Sequence, residues 1–156
     1  MTIELSHRAH RVLEYAYNLA VAENNKYLTP EHVLYAILSE KSLLNLDNKC
    51  STNIEELRQS LKAFISFITK SSQSGAKPQA SKLLVKALEN AKDITNNDGA
   101  KELCLRHIIY GMIGINKSFA SYLLQTHFHC SLAEYLIQSD RKSDSISYPP
   151  LKYNYL

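Results

Sequence analysis

The chain has 156 residues, 45% hydrophobic and 21% charged with four Gly and four Pro, which suits one soluble helical domain better than a disordered or fibrous chain. Eighteen basic against fifteen acidic residues leave +3, and the basic ones are scattered rather than gathered into a stripe, which argues against a nucleic-acid partner. Cys50, Cys104 and Cys130 lack C-x-x-C spacing and no segment nears the ~18 apolar residues of a membrane span, so reduced thiols, no membrane partner and a cytoplasmic location are expected.

In chain order, Leu5, Ala9, Val12, Leu13, Ala16, Leu19 and Ala20 recur at helical spacing and predict a helix over about 4–23. Thr29-Pro30-Glu31 starts a second helix, with the hydroxyl as N-cap and Pro at the first helical position, and Val33, Leu34, Ile37 and Leu38 facing inward. Ser42 opens a short piece with Leu43, Leu44 and Leu46. Thr52-Asn53-Ile54-Glu55 then reads as a capping box before a helix striped by Ile54, Leu57, Leu61, Phe64, Ile65 and Ile68. Residues 71–79, with Gly75 and Pro78, form a connector.

The second half opens on a helix striped by Ala80, Leu83, Leu84, Ala87, Leu88 and Ala91, followed by ITNNDGAKEL as a loop. Shorter helices carry Ile108, Ile109, Met112 and Ile113, then Phe119, Tyr122, Leu123 and Leu124, and finally Leu132, Tyr135, Leu136 and Ile137. The halves look duplicated. Ala9, Ala16 and Ala20 match Ala80, Ala87 and Ala91 at an offset of 71, and a four-residue loop expansion then brings His32 onto His107 at an offset of 75. Lys41-Ser42 matches Lys117-Ser118. The expected fold is all-α: two pseudo-symmetric four-helix repeats, about 1–70 and 80–139, packed into one globular domain over 1–139, with a polar, Tyr- and Pro-bearing tail or linker over 140–156.

LSHRAHRVLEYAYNLA followed by YLTPEHVLYAIL resembles the first half of a Clp amino-terminal repeat domain. KPQASKLLVKALENAKDI and LRHIIYGMI resemble its second half, and KSFASYLLQTHFHCSLAEYLI its closing helices, so the likeness spans about 3–138. The resemblance implies a non-catalytic domain that docks an adaptor protein or substrate polypeptide for a Clp-type unfoldase or protease ring and is monomeric when isolated. The alternative is a stand-alone accessory protein bound to such a ring. No G-x-x-x-x-G-K-[ST] phosphate loop occurs in the sequence, no nucleophile is paired with a base, and neither enzyme activity nor a cofactor is expected.

One branch of that family recognises phosphorylated arginine through a glutamate near the start of the second helix of each half. Glu31 stands at the first such position, Arg106 at the second, and Thr29 and Ser6 complete the candidate partner-facing residues. A carboxylate suits a guanidinium, whereas Arg106 repels one and attracts phosphate. The plainer alternative for Glu31 is an acid in a first helical turn, worth ~0.3–1 kcal/mol against the helix dipole. His32 and His107 read as buried hydrogen-bonding imidazoles. His127, His129 and Cys130 read as a chance grouping of ligand types, so no metal site is expected. The tail's Tyr148, Pro149, Pro150, Leu151, Tyr153 and Tyr155 read as an extended linker, or as a segment suited to a partner's groove.

Overall fold

Each long helix begins one residue after a serine. In the computed structural model, which describes residues 3–40, 53–73, 75–126, 134 and 136–138, helix α1 (His7–Ala22) follows Ser6 and a later long helix (Lys82–Asp98) follows Ser81. Ser6 Oγ accepts the Ala9 N–H and Ser81 Oγ the Leu84 N–H, both at 3.1 Å, so each hydroxyl satisfies a donor that has no partner within its helix. The first helix therefore starts at His7 rather than near residue 4, because Glu4–Leu5 is taken up as strand β1.

The remaining elements are β2 (Tyr27–Leu28), α2 (Pro30–Leu38), α3 (Ile54–Ser66), β3 (Gln79–Ala80), α4 (Lys82–Asp98), β4 (Glu102–Leu103), α5 (Leu105–Ile115) and α6 (Phe119–Thr126). The molecule is mainly helical, but four two-residue strands tie its halves together. β1 pairs parallel with β4, matching Leu5 to Leu103, and β2 pairs parallel with β3, matching Leu28 to Ala80. Each pair joins the strand before one long helix to the strand after the other. Two residues are too few to show an alternating pattern, which is why no strand is expected from the sequence.

Residues 94–98, expected in a loop, are the last turn of α4. Thr95 is fully buried and its hydroxyl donates to the Ala91 carbonyl at 2.7 Å, while Gly99 stops the helix at φ 69°. In the first half Asn24 plays the same part at φ 53°. Chain reversal follows in the same way in both places: the Asn25 N–H donates to the Ala20 carbonyl at 2.9 Å and the Ala100 N–H to the Thr95 carbonyl at 3.3 Å.

Against these long helices pack α2 and α5. All of α2 except Tyr35 is buried, including Val33, Leu34, Ile37 and Leu38 as expected. α5 crosses α4 so closely that a Cβ on Gly111 would run into the Ala87 carbonyl oxygen and stand 3.3 Å from Ala91 Cβ. Small residues on both helices permit that approach. α3 buries Ile54, Leu57, Leu61 and Ile65 against this body, and its N-cap is Asn53, whose Oδ1 accepts the Glu56 N–H at 3.1 Å. Leu136 and Ile137 also enter the core. Cys104 is a buried thiol; Cys50, Thr52, the short piece after Ser42, the grouping His127, His129 and Cys130, and the tail 140–156 lie outside the described residues. Among the described residues no helix is long and apolar enough to cross a membrane.

Candidate partner-docking site

Ser6 stands at the start of α1, Thr29 and Glu31 at the start of α2, and Arg106 at the start of α5. At the head of α2 the usual reciprocal cap is built with a histidine. The Thr29 N–H donates to His32 Nδ1 at 3.0 Å, and His32 Nε2 faces Asn25 Oδ1 at 2.9 Å. With Nδ1 accepting, Nε2 carries the proton and donates. Burial holds the His32 pKa down to about 4, with the Glu23 charge raising it and Lys70 lowering it. This is the buried structural imidazole read from the sequence.

Glu31 is 3% exposed. Its Oε2 accepts the Ala120 N–H at 2.8 Å, in the first turn of α6, where Ser118 Oγ takes the Ser121 N–H at 3.0 Å. The carboxylate thus caps a helix of the other half, with the helix dipole in its favour. Burial raises its pKa from the usual carboxylate value, opposed by the Ala120 amide, its own N–H and the Thr29 hydroxyl. Ser6 and Thr29 are also buried, so three of the four candidate side chains are spent on the protein's own helix starts.

The second half repeats the clamp with different chemistry. The Cys104 N–H donates to His107 Nδ1 at 2.9 Å, and His107 Nε2 meets Asp98 Oδ2 at 3.1 Å, a carboxylate taking the place of the Asn25 amide. Arg106 faces a cleft of about 350 Å³ lined also by Ile94, Asn97, Asp98, His107 and Tyr110.

These matched devices set the register of the duplication. Ser6 with Ser81, Asn24 with Gly99, Asn25 with Ala100 and His32 with His107 all stand 75 residues apart. The offset of 71 expected for the long helices is therefore corrected to 75, with no loop expansion; Ala16 corresponds to Ala91 and Ala20 to Thr95. The two registers differ by four residues, about one helical turn, which leaves the apolar stripe on the same face and so hides the slip from a periodicity argument.

A surface feature lies where the halves meet. Phe119 of α6 stacks on Phe64 of α3 at 5.2 Å and 18°, and on Tyr122 at 6.3 Å and 16°. Phe64 and Tyr122 are exposed, and Phe67, at the end of α3, is 89% exposed. On the same helix Ser60 and Ala63 are exposed and uncharged. The sequence puts Phe64 in the inward stripe, yet it sits at the stripe's edge. Phe67 falls off that stripe, the one signal in the sequence that could have marked it as outward-facing.

The family model described as Clp repeat (R) N-terminal domain matches residues 4–127. Among solved structures, the N-terminal domain of the ClpV1 ATPase from E. coli is 22% identical with a TM-score of 0.66, over 87% of this chain and 82% of that one. A ClpV N-domain in complex with a VipB peptide is 21% identical with a TM-score of 0.65, over 93% and 91%. The Hsp104 N-terminal domain from Candida albicans is 14% identical with a TM-score of 0.62, over 88% and 82%. At these identities the structures establish a shared fold, and the match over most of the sequence establishes descent: the chain belongs to the Clp repeat (R) N-terminal domain family.

Proposed function

We propose that this chain is a non-catalytic docking domain of a Clp-type ATP-dependent unfolding system, taking an apolar or aromatic segment of an adaptor or substrate polypeptide. The observation that carries the reading is the stack of Phe64, Phe119 and Tyr122 across the two halves, with Phe67 almost fully exposed beside it in sequence. Soluble domains rarely gather exposed aromatic side chains on one surface without a partner for them, and rigid aromatic rings are favoured anchors because they bury much area at little loss of side-chain freedom. The ClpV N-domain solved with a VipB peptide shares this fold and supports a polypeptide as the partner.

Glu31 enters this reading as the residue that holds α6 against α2 beneath the seam. At 3% exposure its carboxylate, already accepting the Ala120 amide, presents almost no surface to a guanidinium, phosphorylated or not.

The test is a photo-reactive phenylalanine analogue at position 67, with a control at the exposed Glu89, in cells that make the protein. Adducts at 67 with an adaptor, a substrate or another part of a Clp system, reduced by Phe64→Ser and absent at 89, are expected. Equal labelling at both positions, or no polypeptide adduct at 67, overturns the reading.

A further inference from the structure

The two halves share their serine caps and histidine clamps, but two buried bonds around the head of α2 have no counterpart at the matched positions of the second half. Each ends beneath one wall of the aromatic surface. The first joins Glu31 Oε2 to the Ala120 N–H at 2.8 Å. Ala120 follows Phe119 directly in the opening turn of α6, so the bond that holds that turn holds the backbone from which the Phe119 ring projects.

The second runs through His32. Its Nε2 donates to Asn25 Oδ1 at 2.9 Å, and Asn25, 1% exposed, passes the connection on: its Nδ2 donates to the Ile65 carbonyl at 3.3 Å. Ile65 stands in the last turn of α3, between Phe64 and Phe67, where a helix leaves carbonyls without partners of its own. The chain just beyond is held to the same loop, the Lys26 N–H donating to the Thr69 carbonyl at 2.7 Å and the Ser71 N–H to the Asn24 carbonyl at 2.9 Å. Phe67 is thus highly exposed yet stands on backbone tied on both sides. Along its other flank α3 is held at the surface, where Lys62 Nζ lies 3.0 Å from Glu23 Oε1 and 5.6 Å from the centre of the Tyr35 ring. Exposed pairs of that kind contribute little.

Seventy-five residues beyond Asn25 and Glu31 stand Ala100, which has no side-chain amide, and Arg106, which has no acceptor. His107 Nε2 meets Asp98 on the preceding helix of its own half. Bonds that the repeat needs for its own fold should recur with it, as the caps and clamps do, whereas these two serve the one face on which the aromatic rings gather. We infer that Glu31 and Asn25 are positioning residues of the docking surface: Glu31 sets the Phe119 wall, and Asn25, held by His32, sets the Phe64 and Phe67 wall. This deepens the docking reading and rests on it. Rings fixed before a partner arrives need no ordering when it binds, so the buried Thr29-Pro30-Glu31-His32 head takes part in docking without touching the partner.

The experiment uses the full chain with 4-fluorophenylalanine at its four phenylalanines, the fluorine NMR signals assigned by single Phe→Leu variants. Asn25→Asp keeps an acceptor for His32, the pairing that His107 already has with Asp98, but loses the donor to Ile65. The Phe64 and Phe67 signals should then move, and the adduct yield of the photo-reactive residue at 67 should fall about two- to tenfold, the loss expected when one side chain must be ordered on binding. Glu31→Ala should move the Phe119 signal, and Glu31→Gln, which keeps an acceptor for Ala120, should restore it. Should either first variant not fold, Asn25→Ser and Glu31→Asp, each with a shorter polar side chain, take its place. Leu84→Ala, which opens a cavity in α4 and is no part of the stack, should destabilise the domain without moving these signals. The inference is overturned if Leu84→Ala moves them as far, if the folded Asn25 and Glu31 variants leave them in place, or if they move while the adduct yield holds. An unsubstituted chain that gives no adduct at 67 sinks the docking reading alone, and the fluorine signals still report whether the head of α2 sets the rings.

Discussion

The Glu31 carboxylate in α2 accepts the Ala120 N–H of α6 at 2.8 Å across 89 residues of sequence, in an environment where Glu31 is 3% exposed. One buried charge-assisted bond thereby fastens the second half's α6 to the first half's α2.

Glu31→Ala should destabilise the fold by roughly 2–3 kcal/mol in urea unfolding, since it removes an ionic hydrogen bond and leaves a buried amide unmet. Glu31→Gln keeps an acceptor and should lose about half as much. The linkage has a definite sign. Burial raises the native pKa, so between the unfolded and folded values the native state keeps a proton that the unfolded chain has released, and stability falls as pH rises through that window. Plotted against pH from about 4 upward, wild type minus Glu31→Gln should slope downward. A flat difference would mean that the carboxylate's hydrogen bonds offset its burial.

His32 acts in the opposite direction. Its native pKa of about 4 lies below the ordinary 6.5, so as pH falls from 6.5 toward 4 the unfolded chain takes up a proton that the native state refuses. Stability should drop over that interval by up to roughly 3 kcal/mol, and His32→Gln should remove the drop. Because the Glu31 and His32 windows overlap with opposite signs, each has to be measured against its own single variant.

Gly111→Ala and Gly114→Ala should differ in sign although both lie in α5. A methyl at 111 meets the Ala87 carbonyl and Ala91, and overpacking of about 1–3 kcal/mol outweighs the ~1 kcal/mol by which Ala favours a helix. At 114 the nearest atom is Asn90 Nδ2 at 3.4 Å, so up to about 1 kcal/mol of the helical gain should survive. Thermal unfolding of the two variants checks this; a stabilised Gly111→Ala would mean that α4 and α5 are less tightly crossed than described.

Phe64 and Phe119 should be coupled. A double-mutant cycle on Phe64→Ala and Phe119→Ala is expected to return about 0.5–1.5 kcal/mol of interaction, the range for a stacked aromatic pair. Phe67→Ala, at 89% exposure, should change stability by less than about 0.5 kcal/mol while weakening docking. A Phe67 variant that unfolds readily would show that this ring is packed against the body.

The sequence by itself determined the helical class, the duplication and much of the core. Apolar spacing every three to four residues specifies a buried stripe locally, so Ala9, Val12, Leu13 and Ala16, or Ile108, Ile109 and Met112, could be placed inward without knowing what they touch. Thr29-Pro30 likewise acts within one turn of chain, whereas the caps at Ser6 and Ser81 came to light only in the structure. Only the tertiary structure decided what depends on residues far apart. It paired β1 with β4 and β2 with β3, because a two-residue strand has no pattern and needs its partner to exist. It set the register at 75 rather than 71, because one turn of slip leaves the stripe unchanged. It gave Glu31 to Ala120, and it brought Lys62 of α3 to Glu23 and Tyr35. Whether a first-turn acid faces water or another helix is settled by the element that packs over it, and no local pattern carries that information.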